Sequence, residues 1–151
     1  MKHYTNLFAF ILILSLTFVS CKDEAQAPII SNFEVGYDDS KTAVIGEDLH
    51  LEAEIVAEAK ISKILLTIHP EGEAEHAPAQ KAASLFTTAI EWEVDTVYTT
   101  KFEGLKNSTF HEHIEIPVTA AAGGYHLHFT VVDMDGNAKE LESELTLVSA
   151  Q

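Results

Sequence analysis

From residue 28 onward, apolar and polar side chains alternate along the chain in short runs that are separated by turn residues. In residues 49–55, LHLEAEI, every second side chain is apolar, and residues 125–131, YHLHFTV, repeat the pattern. Successive side chains of a strand point to opposite faces, so a period of two indicates a strand with one buried face. A helix would need apolar residues three or four positions apart. The alternation therefore restricts this part of the chain to β-structure.

Such runs recur at the spacing of short strands, and we predict an all-β fold, an immunoglobulin-like antiparallel β-sandwich. Tyr125 opens the penultimate predicted strand, which suits the tyrosine corner of such sandwiches. Residues 71–84 are rich in alanine and glutamate and predict an exposed excursion. The predicted strands cover residues 29–35, 49–57, 60–69, 90–94, 110–117, 125–131 and 141–148.

Ahead of this region, residues 7–19 form an almost uninterrupted apolar run that is followed by Ser20 and Cys21. The run is too short to span a bilayer and is typical of a secretory leader. We therefore predict that residues 1–20 are a signal peptide. Residues 18–21, FVSC, resemble a bacterial lipobox, although phenylalanine is a departure at its first position. The resemblance implies that Cys21 is acylated and becomes the mature N-terminus.

The mature chain then divides into a short anchor segment and one domain. Residues 21–27 are the acylated cysteine and its tether, and residues 28–151 are the sandwich. Cys21 is the only cysteine, which excludes an intramolecular disulfide. Residues 22–24, KDE, resemble the signal that exports Bacteroidota lipoproteins to the outer face of the outer membrane. We expect an outer-membrane protein that is exposed at the cell surface and contacts the membrane through its lipid anchor only.

The mature chain has a large excess of negative charge. Removing Lys2 with the leader leaves 8 lysines against 24 acidic residues, a formal charge of −16, and there is no arginine. This potential repels nucleic acid and anionic substrates, and no arginine is available to bind phosphate. Cations are attracted instead. The expected partner is a metal ion rather than nucleic acid, and the sequence predicts no particular protein partner.

Seven of the eight histidines lie beyond the leader, and four of them form two H-x-H pairs. Residues two apart on a strand point to the same side and lie about 6.5–7 Å apart, so each pair can converge on one ion. Neutral imidazole is the commonest metal ligand, which predicts a transition-metal site for zinc or copper. The candidate ligands are the outward-facing histidines His50, His69, His111, His113, His126 and His128.

Strand pairing decides how these histidines are divided. The strand with the first H-x-H pair should lie beside the strand of His50, and the second pair should neighbour His69. Glu52, Glu112 and Glu115 could serve the site as carboxylate ligands or as hydrogen-bond acceptors for the imidazoles. The sequence leaves open whether the histidines form one site or two.

Several segments together carry a family resemblance. They are residues 46–51 (GEDLHL), 68–69 (IH), 110–117 (FHEHIEIP), 124–128 (GYHLH) and 133–137 (DMDGN). In these segments the chain resembles the Bacteroidota lipoproteins of domain of unknown function 4625, over roughly residues 28–148. The resemblance implies an immunoglobulin-like, secreted or lipid-anchored domain with a histidine-rich motif. It implies no biochemical activity.

We therefore expect a cell-surface lipoprotein that binds a transition metal as a scavenger or carrier and is not an enzyme. One alternative is an interaction or adhesion module whose histidines are incidental, since outward positions of a sandwich are often polar. The other is a small metalloenzyme, because copper-zinc superoxide dismutases also have H-x-H on a strand. This chain lacks their cysteine pair and glycine-rich loops, and it contains neither H-E-x-x-H nor G-x-S-x-G.

The acylation of Cys21 gives the first testable prediction. Cys21→Ser removes the thiol that would accept the acyl chain, so the protein should move from the membrane fraction to the soluble fraction. The measurement is fractionation of cells followed by immunodetection. Unchanged partition into membranes would contradict a lipid anchor at this residue.

Overall fold

The computed structural model describes residues 26–72 and 89–150. Within these ranges the chain forms eight strands and a single 3-10 turn at Tyr37–Asp39. The strands are β1 (Ile29–Val35), β2 (Thr42–Val44), β3 (Asp48–Val56), β4 (Ile61–Pro70), β5 (Val94–Tyr98), β6 (Asn107–Glu115), β7 (Gly123–Asp133) and β8 (Ala138–Val148).

The strands form two sheets, with the orders β1-β3-β6 and β2-β8-β7-β4-β5. The pairs are antiparallel except that β2 runs parallel to β8. The order β8-β7-β4 in one sheet, facing β1-β3-β6, is the arrangement of an immunoglobulin sandwich. The predicted all-β sandwich is confirmed. The short parallel strand β2 is an addition that the sequence did not predict.

The chain crosses from the first sheet to the second between β1 and β2, and the crossing depends on Gly36. Its φ is 74°, in the left-handed region that favours glycine. An added Cβ would lie 2.9 Å from the carbonyl oxygen of Thr42. After this turn, Asp39 accepts a hydrogen bond from the Val35 N–H at 3.1 Å. That bond and the Lys41 ammonium lower the pKa of the Asp39 carboxyl, with the larger effect from Lys41.

The inward faces of the long strands agree with the predicted alternation. Their apolar side chains are buried between the sheets, whereas the polar side chains between them face outward. The buried residues include Leu49, Leu51, Ala53 and Ile55 on β3, Ile64, Leu66 and Ile68 on β4, and Tyr125, Leu127, Phe129 and Val131 on β7.

Aromatic rings connect the two sheets across the core. Phe110 of β6 packs edge-on against Phe129 of β7, with ring centroids 4.8 Å apart. Phe33 of β1 also stacks on Phe129, at 5.3 Å. Phe102 and Tyr98 pack against Phe110 from the segment between β5 and β6 and from β5 itself. These contacts join two strands of each sheet, β1 and β6 in one and β5 and β7 in the other, and the connection between β5 and β6.

Tyr125 occupies the predicted tyrosine corner at the start of β7. Its hydroxyl donates a hydrogen bond to the carbonyl oxygen of Ala121 at 2.8 Å, four residues upstream. Burial raises the pKa of the phenol, so the hydroxyl remains a donor. The bond fixes the turn from which β7 begins.

The hairpin between β7 and β8 is held by Asp133, which is almost completely buried. Its carboxylate accepts hydrogen bonds from the N–H groups of Asp135 and Asn137, at 3.0 and 2.8 Å. The Asn137 side-chain amide donates a third bond at 3.0 Å. The carboxylate therefore finds its hydrogen-bond donors in the turn that it stabilises.

The strand predicted at residues 90–94 is wrong in its position. Ile90 forms only an isolated bridge to Ala120 and is exposed, whereas the strand β5 begins at Val94. Trp92 is buried and packs against Tyr125 at 6.0 Å between ring centroids. Strand pairing explains why the strand begins at Val94 instead of Ile90. The free side of β4 accepts residues 94–98 as its partner, and that register overrides the local alternation of the preceding residues.

Some sequence predictions concern residues outside the described ranges. The leader, Cys21 and most of the excursion at residues 71–84 belong to this group. In the described part of the chain, no helix has the length and apolar character that crossing a bilayer requires.

Phe110 allows a test of the core. Phe110→Ala should lower the free energy of unfolding by about 3–5 kcal/mol, because it removes a fully buried ring and leaves a cavity between the sheets. Chemical denaturation followed by circular dichroism measures the change. Thr109→Ala, at the exposed neighbouring position, is the matched control and should change stability by no more than about 0.5 kcal/mol. Equal losses in the two variants would contradict the assigned role of Phe110.

Candidate metal centres

The six histidines predicted as ligands lie on the outer faces of the two sheets, where the alternation puts them. Pairing of β3 with β6 makes His50 and His113 direct cross-strand partners. Pairing of β4 with β7 does the same for His69 and His126. The structure thus forms two separate groups on opposite sides of the sandwich. We name them cluster A (His50, His111 and His113) and cluster B (His69, His126 and His128).

The three rings of cluster A form a nearly equilateral triangle. The centroid of His50 lies 5.0 Å from that of His111 and 5.3 Å from that of His113, and the last two are 5.3 Å apart. Imidazoles bound to one tetrahedral ion at about 2.0–2.1 Å have ring centres separated by about 5 Å. One nitrogen from each ring can be chosen so that all three lie within 4.8 Å of one another. Small side-chain rotations would therefore bring all three rings onto one ion.

Two nitrogens of cluster A are already at the spacing of metal ligands. Nε2 of His111 lies 3.3 Å from Nε2 of His113. The edge of a tetrahedron around zinc is about 3.3 Å long when the Zn–N bonds are about 2.0–2.1 Å. The H-x-H spacing on β6 therefore produces the separation that chelation requires.

His50 is the unusual member of cluster A because it is only 8% exposed although it lies on the outer face of its sheet. Tyr37 stacks on it with ring centroids 4.9 Å apart and planes inclined by 10°. Nδ1 of His50 is buried and has no hydrogen-bond partner among the described residues. An unpaired buried polar atom costs about 1–3 kcal/mol. This ring is packed in place at a cost in stability, which is typical of functional sites.

Carboxylates surround cluster A at slightly longer range. Glu52 lies 3.7 Å from Nδ1 of His111 and 4.0 Å from Nε2 of His50, and Glu34 lies 3.7 Å from the same His50 nitrogen. Glu52 was predicted to be near the site. Glu34 was missed, because its position follows from the pairing of β1 with β3, in which it lies opposite Glu52.

Neither of the other two predicted carboxylates is among those within 4.0 Å of a cluster A nitrogen. Glu112 shares the opposite face of β6 with Phe110 and forms an ion pair with Lys101. Glu115 shares the outward face of β6 with His111 and His113 but lies at the end of the strand, opposite Asp48. Because alternate residues of a strand face opposite sides, Glu112 cannot point in the same direction as His111 and His113.

All three rings of cluster B are half-buried. Nε2 of His69 lies 3.3 Å from Nε2 of His128, and the two ring centroids are 5.4 Å apart. The His126 centroid is 5.6 Å from that of His69. A surface pocket beside the cluster is lined by His126, His128, Glu142, Ser143 and Glu144.

Strand β8 adds carboxylates to cluster B that the sequence analysis missed. Oε1 of Glu140 lies 2.9 Å from Nδ1 of His128, and Oε1 of Glu142 lies 3.8 Å from the same atom. His128, Glu140 and Glu142 also form a group whose ligand atoms lie within 4.8 Å. The signal was present in the alternation of residues 140–144, ELESE, which puts three glutamates on one face beside β7.

Comparison with known proteins identifies a family and similar solved structures. A family model described as "Domain of unknown function (DUF4625)" matches residues 19–148. Comparison with curated proteins gives no match. A solved structure, the sporulation control protein Spo0M from Bacillus subtilis, has a TM-score of 0.46 and 10% sequence identity. The alignment covers 83% of this chain and 51% of that one, so the chain spans about half the length of Spo0M.

The unpaired nitrogen of His50 gives a prediction about the metal-free protein. His50→Phe keeps a ring under Tyr37 and removes the buried polar atom, so thermal stability should stay the same or rise. His50→Ala also removes the polar atom but leaves a cavity, and it should be less stable than His50→Phe. Thermal denaturation in the presence of a chelator measures both. A loss of more than about 1 kcal/mol in His50→Phe would show that the imidazole nitrogens stabilise the fold.

Proposed function

This chain belongs to the family described as domain of unknown function DUF4625, and we propose that it is a lipid-anchored cell-surface protein that binds a transition-metal ion through cluster A. The family description gives no activity, so the proposal rests on the residues of this chain. The proposed role is scavenging or carrying of metal rather than catalysis.

The observation that carries the proposal is the convergence of three imidazoles from two strands, one of them packed with an unpaired nitrogen. Neutral imidazoles suit zinc and copper, and three of them leave a further coordination position on the ion. Protonated imidazoles at this separation would repel one another. A single metal ion instead binds all three in the neutral form, which gives the grouping a physical reason.

The surrounding charge favours a cation. Glu34 and Glu52 lie within 4.0 Å of cluster A, where they can orient the histidine rings and offset the positive charge of an ion. The excess of acidic residues over the whole chain adds a long-range attraction for cations. Both effects, like the imidazole ligands, favour the binding of a cation.

The proposed anchoring at the surface rests on the sequence around Cys21, the only cysteine of the chain. The apolar run, Cys21 and the acidic residues that follow it support export, acylation and exposure on the outer face of the outer membrane. An anchored domain with an exposed metal site could concentrate a scarce ion at the cell boundary. The proposal needs no enzymatic step.

The histidines of β6 allow a direct test. His111→Ala combined with His113→Ala should abolish binding of zinc and copper at cluster A, because it removes two of three ligands. Calorimetric titration of the mature, untagged protein measures the loss, and elemental analysis of the purified protein gives the stoichiometry. In the presence of metal, the melting temperature of the double variant should be lower than that of the wild type, since bound metal stabilises only the folded state. Without metal, the free energies of unfolding of the two proteins should agree within about 0.5 kcal/mol.

Two controls sharpen this test. Thr109→Ala lies on the outer side of the same strand and should leave metal binding unchanged. Acidification from about pH 7.5 to about pH 5.5 spans the ordinary imidazole pKa of about 6.5 and should weaken binding in the wild type, because protons compete with the ion. If the double variant and the wild type bound zinc and copper equally, cluster A would not be a metal site. If neither protein bound zinc or copper, an interaction module would be the better description.

A further inference from the structure

The hydrogen-bond acceptors around cluster B determine which nitrogen of each ring carries a hydrogen. Nδ1 of His69 lies 3.2 Å from the carbonyl oxygen of Pro70, and Nδ1 of His128 lies 2.9 Å from a carboxylate oxygen of Glu140. Carbonyl and carboxylate oxygens only accept hydrogen bonds, so both Nδ1 atoms must donate. In a neutral ring the other nitrogen, Nε2, then has a lone pair and no hydrogen.

These two Nε2 atoms face each other at 3.3 Å. With both rings neutral, neither nitrogen can donate to the other, and two lone pairs are opposed at short range. The arrangement is favourable only when a cation lies between them.

We propose that the outer face of the second sheet holds a second metal site, in which Nε2 of His69 and Nε2 of His128 bind one ion and Glu140 orients the His128 ring. The inference rests on the proposed metal-binding function and extends it to a separate site.

The distance between the two nitrogens suits a metal ion that both rings bind. The Nε2 atoms of His69 and His128 are 3.3 Å apart, and a metal ion bound by both would bring the two lone pairs onto one acceptor. This separation equals the edge of about 3.3 Å expected for two nitrogen ligands of a tetrahedral ion. Glu140 beside His128 reproduces the carboxylate–histidine–metal arrangement in which the carboxylate fixes the ring and increases its basicity.

The same distances decide between two possible positions of the ion. His128, Glu140 and Glu142 could also bind an ion on the Nδ1 side of His128. The 2.9 Å contact between Nδ1 and Glu140 is a hydrogen-bond length and is shorter than the edge of about 3.3 Å that two ligands of one tetrahedral ion require. The ion therefore belongs on the Nε2 side, and Glu140 is a positioning residue.

The two sites should differ in metal affinity and in the rate at which the ion exchanges. Cluster A offers three imidazoles, one of them buried, whereas the site in cluster B uses two imidazoles beside an open pocket. An ion such as zinc or copper(II) at cluster B would complete its coordination with water or with a ligand from outside the protein. We expect weaker and more rapidly exchanging binding there than at cluster A.

The experiment uses the mature chain with His111→Ala and His113→Ala, in which cluster A is disabled, and titrates it with zinc alone. One equivalent of zinc should bind. Adding His69→Ala should abolish that binding, and Glu140→Gln should weaken it by about 10-fold or more because the amide is a poorer acceptor for His128. Glu142→Gln on the same strand is the matched control and should leave the affinity unchanged. An unchanged apo melting temperature in each variant separates loss of ligand orientation from loss of folding.

The outcomes distinguish this site from cluster A. If the chain with a disabled cluster A bound no zinc, the second site would be overturned, while cluster A would still be tested by the chain with His69→Ala and His128→Ala. Binding that survives His69→Ala, or that is abolished by Glu142→Gln, would also overturn the proposed Nε2 site. If the chain with His69→Ala and His128→Ala, in which cluster A is intact, bound no zinc while the chain with a disabled cluster A did, the proposed function of cluster A would be contradicted instead.

Discussion

The contact of Phe110 with Phe129 joins the two sheets through apolar surface alone, and the outer faces of the sandwich depend on it. Because neighbouring residues of a strand point to opposite sides, burying one face fixes the other face completely. Phe110 pointing inward requires His111 to point outward, and Phe129 requires the same of His128. The core thus determines on which face of each strand the histidines lie.

Strand register then determines which outward histidines lie beside each other in the two clusters. His50 reaches His113 because β3 and β6 pair from Asp48 with Glu115 to Val56 with Asn107 without interruption. A slip of one residue would exchange the buried and exposed faces of a strand, which the apolar core strongly disfavours. The free energy that holds the histidines together is therefore supplied mainly by burial on the other side of each sheet. Cluster A itself, with the unpaired nitrogen of His50, contributes nothing comparable.

Period-two alternation was sufficient to predict the faces of β3, β4, β6 and β7, and hence the outward histidines of these four strands. It failed where pairing rather than pattern decides, as at Ile90 and in the short β2, whose parallel contact with β8 has no local signature. Glu34 was missed for the same reason, since it reaches His50 from the neighbouring strand β1. The alternation does mark the face of Glu140, but its approach to His128 depends on the pairing of β8 with β7. The tautomers of cluster B depend on acceptors such as the Pro70 carbonyl, which no sequence pattern encodes.

The direction of β1 has a geometric consequence for the proposed lipid anchor at Cys21. Ile29 pairs with Val56, at the end of β3, whereas His50 lies six residues earlier on that strand. At about 3.3 Å per residue, β3 carries cluster A roughly 20 Å beyond the point where the tether enters the domain. His69 and His126 lie at the same far end, where β4 finishes and β7 starts. The sandwich would act as a rigid spacer, presenting both imidazole clusters to the medium and away from the lipid headgroups.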